Sequence, residues 1–154
     1  MHVTTPTRAV RSYTQRLVGT PDQVLPLLCP VREADWIEGW DPRLVISESG
    51  FAEPDCVFTT DAENTEAIWY VTQHRPGFVE MLKITPGVTA CRLTIELGEA
   101  DHGCDATVTY AHTSLGPAGD EFVAGFSAES YEGFMREWEA RLNHYLRTGE
   151  KLTD

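Results

Sequence analysis

The sequence predicts an α+β fold in which a curved antiparallel sheet of about seven strands wraps around a long C-terminal helix, with two short helices after the first strand. Three observations predict it. After Pro42, short runs of Val, Ile, Thr, Phe and Tyr alternate with turn residues, the pattern of consecutive antiparallel strands. From Asp120 to about Arg147 there is no proline, and apolar residues recur at helical spacing. Between these and the N-terminal strand lies a proline-punctuated stretch fit only for short helices.

In chain order, Arg8 to Val18 mixes β-branched and polar residues and stops at Gly19-Thr20-Pro21-Asp22. Thr20 is placed to cap a helix with Pro21 at its first position. Pro26 and Pro30 then divide Pro21 to Trp36 into one or two short helices, because proline lacks the amide proton that continues a helix. Strands are predicted near 43–50, 55–61, 65–74, 77–85, 88–99 and 104–115, separated by turn residues such as Arg75-Pro76-Gly77, Pro86-Gly87 and Asp101-His102-Gly103. Cys91, Leu93, Ile95 and Leu97 share one face of their strand, as do Val108, Tyr110 and His112 on the next, so a meander with one buried face is expected. Gly116-Pro117-Ala118-Gly119 ends the sheet. The final helix is expected to run unbroken for about 40 Å, with Phe122, Phe126, Phe134, Trp138, Leu142 and Tyr145 on or near one stripe and Gly149 as its stop.

The length of 154 residues fits a single domain spanning 1–154. Twelve Lys and Arg against 24 Asp and Glu leave a formal charge of −12, which argues against nucleic acid, since a polyanion gains nothing from an acidic surface. No run approaches a membrane span, and the first residues lack the apolar stretch of a signal peptide. Cys29, Cys56, Cys91 and Cys104 have none of the short paired spacings of zinc or redox sites, so four reduced thiols acting as small fillers, and a cytoplasmic protein, are expected. No metal site and no cofactor is expected, and the oligomeric state is left open.

A family likeness is carried by Cys29-Pro30-Val31-Arg32-Glu33-Ala34-Asp35-Trp36-Ile37-Glu38-Gly39-Trp40-Asp41, then Ser47-Glu48-Ser49-Gly50, Cys56-Val57-Phe58-Thr59-Thr60 and the closing Trp138-Glu139-Ala140-Arg141-Leu142-Asn143-His144-Tyr145-Leu146. Together these resemble the START-like, or SRPBCC, superfamily, in its polyketide cyclase/dehydrase and lipid transport branch. The resemblance covers nearly the whole chain. It implies the helix-grip fold with a deep hydrophobic cavity, but no single reaction, because the superfamily includes lipid carriers, hormone receptors, cyclases, co-chaperones and oxygenase domains.

Candidate ligand-binding residues are Trp36, Trp40, Phe58, Trp69, Met81, Leu93, Tyr110, His112, Phe126 and Trp138. Trp36 and Trp40 read either as the lip of a cavity or as a plug of the helix-to-sheet junction; the remaining large side chains read as its walls or as ordinary core. His112 and Tyr110 are candidate catalytic residues, since imidazole can exchange a proton near neutral pH and a phenol can orient a carbonyl. Glu80 is a third, if the row Phe78, Glu80, Leu82 and Ile84 faces inward; if Val79, Met81 and Lys83 face inward instead, Glu80 stands in water.

Other motifs carry little. Gly125-Phe126-Ser127-Ala128-Glu129 resembles a nucleophile elbow, but it lacks the last glycine and lies inside the predicted helix. Gly116-Pro117-Ala118-Gly119 lacks the lysine of a phosphate loop, and Asp101-His102-Gly103-Cys104-Asp105 reads as a hairpin connection. The leading expectation is therefore binding of an apolar or amphipathic small molecule of lipid, polyketide or aromatic type. A cyclase or dehydratase using His112, Tyr110 or Glu80 is the first alternative, and an acidic protein-interaction module of co-chaperone type is the second. One histidine and one tyrosine in clear inward register are few groups for an enzyme, which favours binding.

Overall fold

The computed structural model describes residues 1–154. Seven strands, β1 (Arg8–Leu17), β2 (Leu44–Ile46), β3 (Val57–Ala62), β4 (Thr65–Arg75), β5 (Phe78–Thr85), β6 (Thr89–Ala100) and β7 (Gly103–Ser114), form one sheet in the order β1-β7-β6-β5-β4-β3-β2. Every neighbouring pair is antiparallel. The chain crosses from β1 to the far edge through α1 (Pro21–Val24) and two 3-10 turns, Leu25–Leu27 and Arg32–Asp35, then meanders back until β7 lies beside β1. Two further helices follow, α2 (Pro117–Gly125) and α3 (Ala128–Thr148).

Local chemistry explains the boundaries. Thr20 caps α1 through a reciprocal capping box with Gln23, and Pro21 sits in the first turn. The expected strand at 43–50 shrinks to Leu44–Ile46, because Ser47 Oγ accepts from Gly50 N and donates to Phe51 O, closing a turn in which Gly50 has φ of 82°. Likewise, β3 starts at Val57 rather than 55, since Asp55 takes a left-handed φ of 69°.

The single long helix is also corrected. It breaks at Phe126-Ser127: Ser127 is extended, with φ −76° and ψ 162°, and its side chain accepts from Ser130 N as the cap of a new helix. The serine read as lying inside a helix therefore starts one. Arg11 Nε donates to Phe126 O at 3.0 Å, which pins the corner to β1. Upstream, α2 packs so closely on the β5–β6 hairpin that a Cβ at Gly119 would lie 1.9 Å from Val88 O. Only glycine permits that approach.

Alternation decides what the sheet buries. Cys91, Leu93, Ile95 and Leu97 on β6, and Cys104, Ala106, Val108 and His112 on β7, turn to the concave face, while Arg92, Glu96 and their neighbours stay outside. Tyr131, Met135 and Leu142 of α3 meet that face and are fully buried, each such burial contributing roughly 2 kcal/mol. Polar groups orient the helix: buried Gln15 donates to Met135 O at 3.2 Å, and Asn143 both accepts from Val18 N and donates to Arg16 O, at 2.9 Å each. The two Asn143 bonds satisfy backbone groups at the end of the β1 edge that would otherwise be unpaired. All four cysteines are free and buried. No helix is long and apolar enough to cross a membrane.

Candidate functional site

Between the concave face and α3, the structure leaves a cavity of about 410 Å³ lined by 18 residues, 13 of them hydrophobic. Strand pairing builds its floor in transverse rows. In one row, Phe58 pairs with Trp69, Trp69 with Lys83, Lys83 with Cys91, and Cys91 with His112. The adjacent row runs from Val71 through Met81 and Leu93 to Tyr110. Because side chains alternate faces along each strand, every member of both rows points to the concave side.

Aromatic stacking holds the walls. Phe58 and Trp69 stack at 5.2 Å, with Trp69 Nε1 donating to Thr60 Oγ1 at 3.0 Å. Trp36 has no exposed surface, donates Nε1 to Leu27 O at 2.9 Å and stacks on Trp138 of α3 at 6.1 Å. Trp40 donates to Pro30 O at 2.7 Å and meets Phe58 edge-on. Both tryptophans thus anchor the loop before the sheet and also line the cavity, so lip and plug are one structure. At the other end, Phe122 and Phe126 stand 4.8 Å from the His112 ring, one on each side of the α2 helix end.

The polar groups in this apolar space are few. His112 is buried, with Nδ1 3.2 Å from Thr89 Oγ1 and Nε2 without a partner in the protein. Burial, reinforced by the Lys83 charge, lowers its pKa to about 4, so the ring is neutral at neutral pH. Tyr110 Oη has no hydrogen bond in the protein, and burial holds its pKa well above the usual phenol value. By contrast, Tyr131 Oη donates to Val108 O at 2.6 Å and serves the core. Burial raises the Glu33 carboxyl, which lines the cavity, to about 8, so it is largely protonated at neutral pH. Burial also lowers the Lys83 ammonium below its usual value. At the rim, Arg141 is engaged by Glu137, Asp154 and the Leu152 carbonyl.

All ten residues read from the sequence as candidate ligand contacts lie on this cavity: Trp36, Trp40, Phe58, Trp69, Met81, Leu93, Tyr110, His112, Phe126 and Trp138. Glu80 does not. It lies on the opposite face of β5, where Thr72 Oγ1 donates to its Oε1 at 2.8 Å and Gln73 Nε2 lies at 3.3 Å. The inward row is Val79, Met81 and Lys83, because Met81 and Lys83 are held in register with Leu93 and Cys91 of the buried β6 face. Catalysis by Glu80 at this cavity is therefore ruled out by position.

Sequence reasoning missed Glu33, Ile37, Lys83, Ile95, Phe122, Phe134, Glu137 and Arg141 as lining residues. Lys83 was visible in the alternation with Val79 and Met81 once that face was known to be buried. Phe122 and Phe134 sat on the apolar stripe. Glu33 carried only one local signal, its place three residues before Trp36 in a turn folded over the sheet.

No family model matches the chain, and no curated protein is significantly similar to it. Solved structures do match. A protein of unknown function from Staphylococcus aureus superposes with a TM-score of 0.69 at 10% identity, covering 94% of this chain and 96% of that one. DynU16, a protein in the dynemicin biosynthetic locus, gives 0.60 at 19% identity over 92% of this chain and 48% of its own. Ara h 8.0201 gives 0.62 at 12% identity, covering 92% and 99%. At these identities the likeness establishes architecture. The curved seven-stranded antiparallel sheet closed on a C-terminal helix is the helix-grip fold.

Proposed function

We propose that this protein binds an apolar or amphipathic small molecule in the cavity between the sheet and α3. The observation that carries the reading is the cavity itself, about 410 Å³ with 13 of 18 lining residues hydrophobic, within the range of roughly 300–1,000 Å³ typical of small-molecule sites. Flat faces of Trp36, Phe58, Trp69 and Trp138 favour a planar or extended hydrocarbon body. The fold is shared with a protein in a biosynthetic locus, which is compatible with a polyketide-like or aromatic ligand.

Calorimetric titration with two neutral probes, 2-naphthalenemethanol and decanol, tests this, alongside native mass spectrometry of the purified protein. Saturable binding that Leu93→Trp abolishes, in a variant that still unfolds cooperatively, is expected. A bare mass together with no binding of either probe would refute the proposal.

A second reading, proton transfer in a cyclisation or dehydration, draws on Glu33. A carboxyl held near 8 in an apolar cavity is a competent general acid at neutral pH, and Tyr110 and His112 stand on the facing strand. In this form of the enzyme reading, Glu33 takes the place of Glu80. Loss of turnover in Glu33→Gln with unchanged probe affinity would support it over simple binding.

A further inference from the structure

Two cations line the cavity, and their circumstances differ. Arg141 at the rim has its guanidinium bonded to Glu137 Oε1 at 3.0 Å, Asp154 Oδ1 at 3.0 Å and Leu152 O at 2.9 Å. Lys83, in the middle of the floor, has no carboxylate, carbonyl or hydroxyl within bonding distance. Its Nζ stands 4.7 Å above the Trp69 ring, and its partner in register on the other side is Cys91. Burial pushes the Cys91 thiol up to about 11, so that neighbour is neutral and supplies no counter-charge. The acid on the same strand, Glu80, points to the other side of the sheet.

An ammonium in an apolar cavity loses hydration, and the ring quadrupole of one tryptophan replaces only part of it. The missing element is an anion. Two uncharged groups stand beside the lysine with hydrogen-bonding capacity to spare: His112 Nε2, in the same transverse row, and Tyr110 Oη, one row along, with ring centroids 5.9 Å apart. Glu33, the acid facing this space from above, carries its own proton at neutral pH and so neither neutralises Lys83 nor repels an incoming anion.

We propose that the ligand of this cavity is a carboxylic acid: a planar or acyl hydrocarbon whose carboxylate seats against Lys83, with Tyr110 and His112 completing its hydrogen bonds. This rests on the binding function proposed above and names the ligand class. The acid end lies on the sheet floor, and the hydrocarbon body lies along Phe58, Trp69 and Trp138. A charge-assisted hydrogen bond in a dry site gives selectivity because the neutral analogue leaves the ammonium unpaired.

The test compares 2-naphthoate with 2-naphthalenemethanol, matched in size and shape, by calorimetry at pH 7.4. The wild-type protein is expected to bind the acid at least tenfold more tightly. Lys83→Met, which keeps most of the length and apolar bulk, is expected to lose the preference and bind the two probes with similar affinity, whereas Lys83→Arg keeps the preference. The wild-type comparison needs no variant, so it stands even where Lys83→Met folds poorly. Equal affinities in the wild type, or a preference that survives Lys83→Met, would overturn the assignment of the acid while leaving small-molecule binding intact. Failure of both naphthyl probes would overturn this proposal, and with decanol also failing and a bare mass it would overturn the cavity function as well.

Discussion

Replacing Glu33 with glutamine removes a carboxyl but keeps its shape, and the consequence for stability follows from linkage. In the folded protein this group titrates at about 8, against 4.5 for an ordinary glutamate. Between those values the native state holds a proton that the unfolded chain releases, so stability falls as pH rises, at roughly 1.4 kcal/mol per pH unit for this one group. Fully ionised and unscreened, Glu33 would cost roughly 5 kcal/mol, and because the residue is only partly buried, solvent screening reduces the expected cost to about 2 kcal/mol. His112 acts in the opposite direction: its folded value of about 4 means stability rises with pH until the unfolded value near 6.5. The two windows overlap, so the wild-type curve alone is uninformative. The difference between wild type and Glu33→Gln cancels His112 and every other group. Urea unfolding at pH 5 and pH 8 should show the variant gaining about 2 kcal/mol on the wild type between the two. Parallel pH curves for the two proteins would refute a neutral, buried Glu33, and with it the reading of this carboxyl as a proton donor.

Three further outcomes are expected. Trp36→Ala removes a fully buried indole, its bond to Leu27 O and its stack on Trp138, and should destabilise by roughly 3–5 kcal/mol in denaturant titration. Gly119→Ala places a methyl against Val88 O, so α2 must shift, and a loss of more than about 2 kcal/mol with faster amide exchange through Pro117–Gly125 is expected. Ser127→Ala removes the cap of α3 at about 1 kcal/mol, and fraying confined to the first turn of α3 would be seen by hydrogen exchange.

Much of the architecture was legible because its signals are local. Strand separators are turn residues whose backbone preferences act within a few positions, and Thr20-Pro21 marks a helix start by its own hydrogen bonding. The cavity residues of β6 and β7 were legible for the same reason: Leu93, Tyr110 and His112 lie on strands whose alternation is clean enough to name a face. The break at Phe126-Ser127 was not, because serine inside an apolar helical period is equally compatible with continuing and with capping. The bond from Arg11 to Phe126 O belongs to the corner, and residues so far apart in the chain announce no such contact.

The sequence by itself therefore determined the element order, the antiparallel sheet and the aromatic inventory, all products of short-range preference and period. Only the tertiary structure decided which face of β5 looks inward. Phe78, Leu82 and Ile84 on one side and Val79 and Met81 on the other are both apolar, so alternation is symmetric between them. Pairing with Trp69 on β4 and Cys91 on β6 breaks that symmetry, turning Glu80 out and Lys83 in. The position of Glu33 was decided in the same way, by a turn folded over a sheet six of whose seven strands come later in the chain. The charges that set the chemistry of this cavity are thus placed by long-range pairing, and the apolar surface that forms it by local pattern.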